Sequence, residues 1–202
     1  IFMTRIFKNL LISLTFFFLI LKPCYSIDES DAIKYIENVG QKAINILKTP
    51  IDNLAKRELL FEQMLNNNFD KKLIHRAVLG KASRGASKEQ LLRFGEAFDK
   101  HIVKVYASQL GVYSNQLFII DKAYKKGKKD TIVSSHIEHE TAPPLRIDWR
   151  LRDRGEGTKI IDIAIEGVSL LATKRADFGA SIKKGGLHAL IIDLETKNAQ
   201  NK

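Results

Sequence analysis

A chain of 202 residues, 45% hydrophobic and 28% charged, suits a single globular domain with a core of its own. A single cysteine, Cys24, excludes a small secreted fold stapled by disulfides. The net charge of +10 admits anionic lipid surfaces, nucleic acid or acidic proteins as partners and does not choose among them.

At the start, Arg5 and Lys8 precede the apolar run NLLISLTFFFLIL, and the small residues Cys24 and Ser26 follow it. This is the pattern of a secretory signal peptide over residues 1–26, cleaved after Ser26, with Met3 as the start. The rival is an uncleaved anchor, but the run of about 12 residues falls short of the roughly 20 that a spanning helix needs. Lys22 and Pro23 stand where a lipoprotein signal requires small residues. Cleavage removes Arg5, Lys8, Lys22 and Cys24, which leaves an exported domain of residues 27–202 with a charge of +7 and no thiol.

The next segment, residues 28–110, reads as helical. Ile33, Ile36, Val39, Ala43, Ile46 and Leu47 recur at helical spacing behind the capping candidates Asp28 and Ser30, and Pro50 stops the run. A second helix is expected from about Asn53 to Asn66, and a short third over DKKLIHRAVLG, closed by Gly80. The segment SKEQLLRFGEAFDKHIVKVYASQL carries the strongest helix signal. Ser87 caps it, and Leu91, Phe94, Phe98, Ile102, Val105 and Tyr106 form one apolar stripe. Gly95, within that stripe, weakens the helix by roughly 1 kcal/mol relative to alanine, so a close neighbour is expected there.

After Gly111 the apolar period drops to 2. Strands are expected near 116–124, 130–139, 144–152 and 158–166, joined by KKGKK, ETAP and RDRGEG. Three short links imply an antiparallel meander over residues 115–167. Leu145, Ile147, Trp149 and Leu151 share one face of the third strand, and Arg146, Asp148, Arg150 and Arg152 the other; Ile161, Ile163 and Ile165 share a face of the fourth. Two helices follow over 169–198. The expected architecture is α+β: a curved four-stranded antiparallel sheet with amphipathic helices packed on its apolar face.

No catalytic constellation emerges. Gly167-Val168-Ser169 lacks the second glycine of a nucleophile elbow and follows an antiparallel strand, so Ser169 reads as a helix cap. His136 and His139 lie three apart on a strand and point to opposite faces, which leaves His136 and Glu138 as only two ligands, with Glu140 beyond; no metal site is expected. His75, His101 and His188 read as isolated surface or rim residues. Neither a P-loop nor a dinucleotide fingerprint is present, and no cofactor is expected. Nucleic-acid binding is disfavoured because Arg146, Arg150 and Arg152 have no aromatics interleaved with them.

The segment IIDIAIEGVSLLATKRADF, through Asp162, Glu166, Gly167, Val168, Ser169, Arg175 and Phe178, resembles the signature of the MlaC, or toluene-tolerance, family. Upstream, Phe94, Ala97, Phe98, Tyr106 and Ala107 resemble that family's long helix. Ile161 stands where the family usually has an aromatic. The resemblance implies an NTF2/cystatin-like fold enclosing a lipid cavity, and a monomeric periplasmic phospholipid carrier without catalytic residues, cofactor or metal. It implies as partners an outer-membrane lipoprotein complex and an inner-membrane lipid ABC transporter complex, in a system that maintains outer-membrane lipid asymmetry. The lipid-facing residues it suggests are Phe94, Phe98, Ile102, Leu145, Ile147, Trp149, Leu151, Ile161, Ile163 and Ile165. Arg175 is left between a head-group contact and an ion pair with Asp162 or Glu166. Two other readings stand beside the carrier: a basic exported adaptor with a filled core, and a small exported α+β enzyme.

Overall fold

The computed structural model describes residues 26–109, 116–138 and 142–200. The expected signal peptide and Cys24, the boundary at Gly111, and His139 and Glu140 lie outside the described residues.

The first helix, α1, spans Glu29–Leu47 behind Asp28, whose carboxylate accepts the Ser30 N–H at 3.0 Å. A 3-10 turn at Ile51–Asn53 follows the proline stop, and Asn53 caps α2, Leu54–Asn68. Helix α3, Lys71–Leu79, starts at Asp70 and ends at Gly80. A one-turn helix α4, Ala82–Gly85, was not expected from the periodicity. Helix α5, Lys88–Gln109, opens with a reciprocal capping box: Ser87 Oγ accepts the Gln90 N–H at 3.1 Å, and Gln90 Oε1 accepts the Ser87 N–H at 3.0 Å.

The sheet has five antiparallel strands in sequential order: β1 Leu117–Lys126, β2 Asp130–Glu138, β3 Leu145–Asp153, β4 Thr158–Ile165 and β5 Val168–Ser169. The fifth corrects the expected count of four. It arises because Glu166 (φ 50°) and Gly167 (φ 78°) make a two-residue turn, both with positive φ, that folds Val168 back onto Ile165. The Glu166 carboxylate holds the turn by accepting the Arg146 N–H at 2.6 Å. One β-bulge also alters the expected alternation. Arg150 pairs with Asp162 but Leu151 pairs with Ile160, so Ile161 is the extra residue, and Ile160 and Ile161 are both buried.

The chain ends in α6, Leu170–Gln200, broken into two arms at Gly186, whose φ of 75° no helix accommodates. No helix among the described residues is long and apolar enough to cross a membrane.

Two cores result. Between α3, α5 and α6, Phe94 stacks on Phe98 at 5.6 Å, and the edge of Phe178 meets both rings. Between α1 and the sheet, Ala32, Ile36 and Val39 pack on Val133, Ile147, Trp149, Leu151 and Ile160. The buried Trp149 indole N–H donates to Ser135 Oγ at 2.9 Å, and that hydroxyl donates to the Ile147 carbonyl at 3.1 Å, so neither polar group is stranded.

Candidate functional site

Between the sheet and the helical layer lies a cavity of about 660 Å³, partly open to solvent. That volume is in the range of about 300–1,000 Å³ usual for small-molecule sites. Its sheet side is made by Phe118, Ile137, Leu145, Ile147, Trp149, Ile161, Ile163 and Ile165. Across from it stand Gly40, Ala43, Ile44 and Leu47 of α1, Phe61, Met64 and Leu65 of α2, and Phe98, Ile102 and Tyr106 of α5. Helix α3 contributes Lys71, Ile74, His75 and Val78, and α6 contributes Leu170, Leu171 and Lys174. The lining from α1 and α2 is wholly apolar.

Eight of the ten lipid-facing candidates border this space: Phe98, Ile102, Leu145, Ile147, Trp149, Ile161, Ile163 and Ile165. Phe94 and Leu151 do not; each is fully buried, Phe94 in the helical core and Leu151 in the α1–sheet core. The stripes thus divide between side chains that border the cavity and side chains that fill the cores.

Arg175 is exposed and away from the cavity lining. Its guanidinium packs against Gly80 at the C-terminus of α3, so close that a Cβ on Gly80 would lie 3.1 Å from Nε. A cation there faces the negative end of the α3 dipole. Of the two alternatives left open for Arg175, the ion pair with Asp162 or Glu166 is not formed. Asp162 is engaged by Ser169 Oγ (2.6 Å) and the Leu171 N–H (3.2 Å), and Glu166 by the Arg146 backbone. Ser169 Oγ also accepts the Ala172 N–H at 3.0 Å. The hydroxyl is thus tied into the first turn of α6, with Asp162 as its support.

Sequence reading missed the polar group on the cavity wall. Asp99 of α5 takes Lys71 Nζ at 2.8 Å on one oxygen and His75 Nε2 at 2.7 Å on the other. His75 is not isolated: its side chain is 15% exposed and its ring meets the edges or faces of Phe94 and Phe98. Gly95 is what lets it in, since a Cβ there would lie 2.9 Å from the imidazole. Gly40 works the same way for Phe118, whose ring would lie 2.3 Å from an added Cβ. The signal for both was present as a glycine inside an amphipathic helix. At Gly95 it was read; at Gly40 it was not.

Burial raises the Tyr106 phenol above its ordinary value of 10.0. His101 is held below its ordinary 6.5, first by burial, then by the fields of Lys174 and Lys197, with Asp193 opposing. His136 pairs with Asp121 at 2.7 Å at the far edge of the sheet. No group of three or more metal-binding side chains is assembled among the described residues. Chemically, the site offers a long apolar wall, the Lys71–His75–Asp99 cluster, the hydrogen-bonded Asp162, Gln116 and the Lys174 ammonium.

A family model described as "MlaC protein" matches residues 37–196. The chain is 24% identical over 106 residues to the toluene tolerance protein ttg2D of Pseudomonas putida, covering 52% of this chain and 49% of that protein. It is 27% identical over 127 residues to the intermembrane phospholipid transport system binding protein MlaC of Haemophilus influenzae, covering 61% of this chain and 59% of that protein. The matches thus span only about half to three fifths of these curated relatives. Among solved structures, the phospholipid-binding protein from Ralstonia solanacearum, determined in complex with a phospholipid, superimposes with a TM-score of 0.74 at 25% identity, over 83% of this chain and 97% of that one.

Proposed function

The chain belongs to the MlaC family, and from that premise we propose that it is a phospholipid carrier that hides acyl chains in the cavity between sheet and helices. The observation that carries this reading is the cavity itself, with its apolar lining from α1, α2 and β3–β4. An adaptor with a filled interior has no use for such a space.

The energetics favour a carrier of this kind. A diacyl lipid has roughly 30 methylenes, each costing about 0.8 kcal/mol in water, so transit between membranes without a shelter is prohibitive. The cavity removes that cost by burying the chains, and it needs few directed contacts to do so. Weak polar recognition also allows release, because a carrier that held lipid far more tightly than a bilayer would not deliver it. The head group stays at the opening, since an unpaired buried phosphate is costly. Nothing in this activity calls for a nucleophile, an acid–base pair or a metal.

In this reading the working unit is residues 27–202, exported to the periplasm as a monomer. It exchanges phospholipid between an outer-membrane lipoprotein complex and an inner-membrane lipid ABC transporter complex. The lipid-facing side chains are Phe98, Ile102, Leu145, Ile147, Trp149, Ile161, Ile163 and Ile165. The test is native mass spectrometry of protein purified from a bacterial envelope, followed by re-exposure of stripped protein to phospholipid vesicles. The expected result is bound phospholipid in both experiments. Folded protein that carries none from either source overturns the proposal.

A further inference from the structure

Two ammonium groups border the cavity, and their surroundings differ. Lys71 is neutralised by Asp99 at 2.8 Å. Lys174, half-buried on the first arm of α6, makes no ion pair with any described residue. Both carboxylates on the cavity wall are already committed. Asp99 holds Lys71 and His75, and Asp162 holds Ser169 and the Leu171 N–H. The positive field of Lys174 is felt across the helix interface at His101, which it helps to keep neutral.

A half-buried cation beside an apolar wall loses hydration without gaining a partner, and such groups are ordinarily paired. Here no described residue supplies an anion, and we assign the counter-charge to the ligand. We propose that Lys174 Nζ binds the phosphate of the glycerophospholipid held in the cavity and so fixes which end of the lipid lies against α6. The inference rests on the carrier reading and deepens it. The phosphate then sits where α6 meets β4, and the acyl chains run along the uncharged lining that includes Leu47, Phe61 and Met64. Lys174 is a specificity residue in this arrangement, separating phospholipid from a lipid of equal apolar bulk without phosphate.

The test offers stripped protein a choice. Vesicles contain equal amounts of phosphatidylglycerol and a diacylglycerol with the same acyl chains, and native mass spectrometry reads the ratio bound. The wild type takes mainly phosphatidylglycerol. Lys174→Met lowers the phosphatidylglycerol-to-diacylglycerol ratio by roughly tenfold, the scale of one charge-assisted contact, with an unchanged melting temperature. Lys174→Arg retains the wild-type ratio. Excess inorganic phosphate leaves the ratio in place; a collapse to the Lys174→Met value shows that the ammonium takes free anions, and the proposal falls. A wild-type ratio near one, or a Lys174→Met ratio equal to wild type, also overturns it while leaving the carrier reading intact. Uptake of neither lipid by the wild type overturns the carrier reading, and this inference with it.

Discussion

The interior of this protein has a filled part and a hollow part made from the same kinds of side chain. Where α3, α5 and α6 meet, Phe94, Phe98, Phe178 and Ile191 close on one another. Where α1 and α2 face the sheet, Ile44, Leu47 and Phe61 look across about 660 Å³ at Trp149, Ile161 and Ile163. Composition does not distinguish the two; the frame does. On the filled side helix meets helix directly, and Gly95 admits His75 into the contact. On the hollow side polar ties at the edges fix the spacing of the layers. The Asp70 N–H donates to the Ile160 carbonyl at 3.0 Å, Lys159 Nζ donates to the Asn67 carbonyl at 2.5 Å, and Arg154 pairs with Asp70 at 3.1 Å. Just before α1, Thr131 Oγ1 donates to the Ile27 carbonyl at 2.8 Å. These ties hold the helical layer against the rim of the sheet while its centre stays open.

The largest effect expected is a difference in the cost of truncation. Phe94→Ala removes a fully buried ring with neighbours on every side and costs about 3–5 kcal/mol. Leu47→Ala removes a side chain that faces empty space, so little cavity energy is added, and about 1 kcal/mol or less is expected. Denaturant unfolding of lipid-free protein measures both. Equal costs would mean that the hollow is closed in solution, and the contrast between the two regions would be lost.

The opposite substitution sharpens the same contrast. Ile44→Trp puts an indole into the cavity from a position outside the filled clusters. Stability should change by less than about 1.5 kcal/mol, because there is room for the ring. Bound phospholipid per chain, read from organic extracts, should fall well below wild type. A variant that keeps its full lipid load would show that the acyl chains lie elsewhere.

How much of this was legible in the sequence follows from what a residue pattern encodes. The alternation from Leu145 to Leu151 told which face of β3 turns inward, and the caps at Asp28 and Ser87 fixed where α1 and α5 begin. Neither says how far one face stands from the next. Phe94 and Phe98, one turn apart on α5, were therefore read alike, although one is core and the other also borders the cavity. The isoleucines of β4 fit period 2 in more than one register, which hid the bulge at Ile161. Strand β5 is two residues long and carries no period at all. The Lys71–His75–Asp99 cluster joins α3 to α5 across 24 residues of sequence, a distance over which local pattern is silent.

A smaller effect concerns the hinge between sheet and α6. Ser169→Ala removes the acceptor for the Ala172 N–H and the donor to Asp162, and about 1 kcal/mol of stability should go with it. Because Ser169 is not part of the cavity lining, lipid content should stay at the wild-type level in protein that remains folded. A loss of lipid at unchanged stability would give the cap a direct part in binding and would blur the separation between frame and hollow.

The smallest effect is on the side of the sheet away from the cavity. Asp130 of β2 lies beneath Arg150 and Arg152, with Arg152 Nε at 2.6 Å and Arg150 in contact with its second oxygen. Burial alone would push this carboxyl up, but the two guanidiniums outweigh it and hold it below its ordinary 3.8. A group with a depressed folded-state value stabilises the fold above its unfolded value and loses that contribution as the pH falls through the folded one. Stability of the wild type should therefore be flat from neutral pH down to about pH 4 as far as Asp130 is concerned, then decline in more acid solution. Asp130→Asn should be less stable near pH 7 and should show a shallower acid limb. The arginines that respond stand on the wet face of β3, so phospholipid retention in folded protein should not track this titration. A lipid load that falls in step with the Asp130 limb would couple the two faces of the sheet, and the hollow could no longer be treated as independent of the surface that backs it.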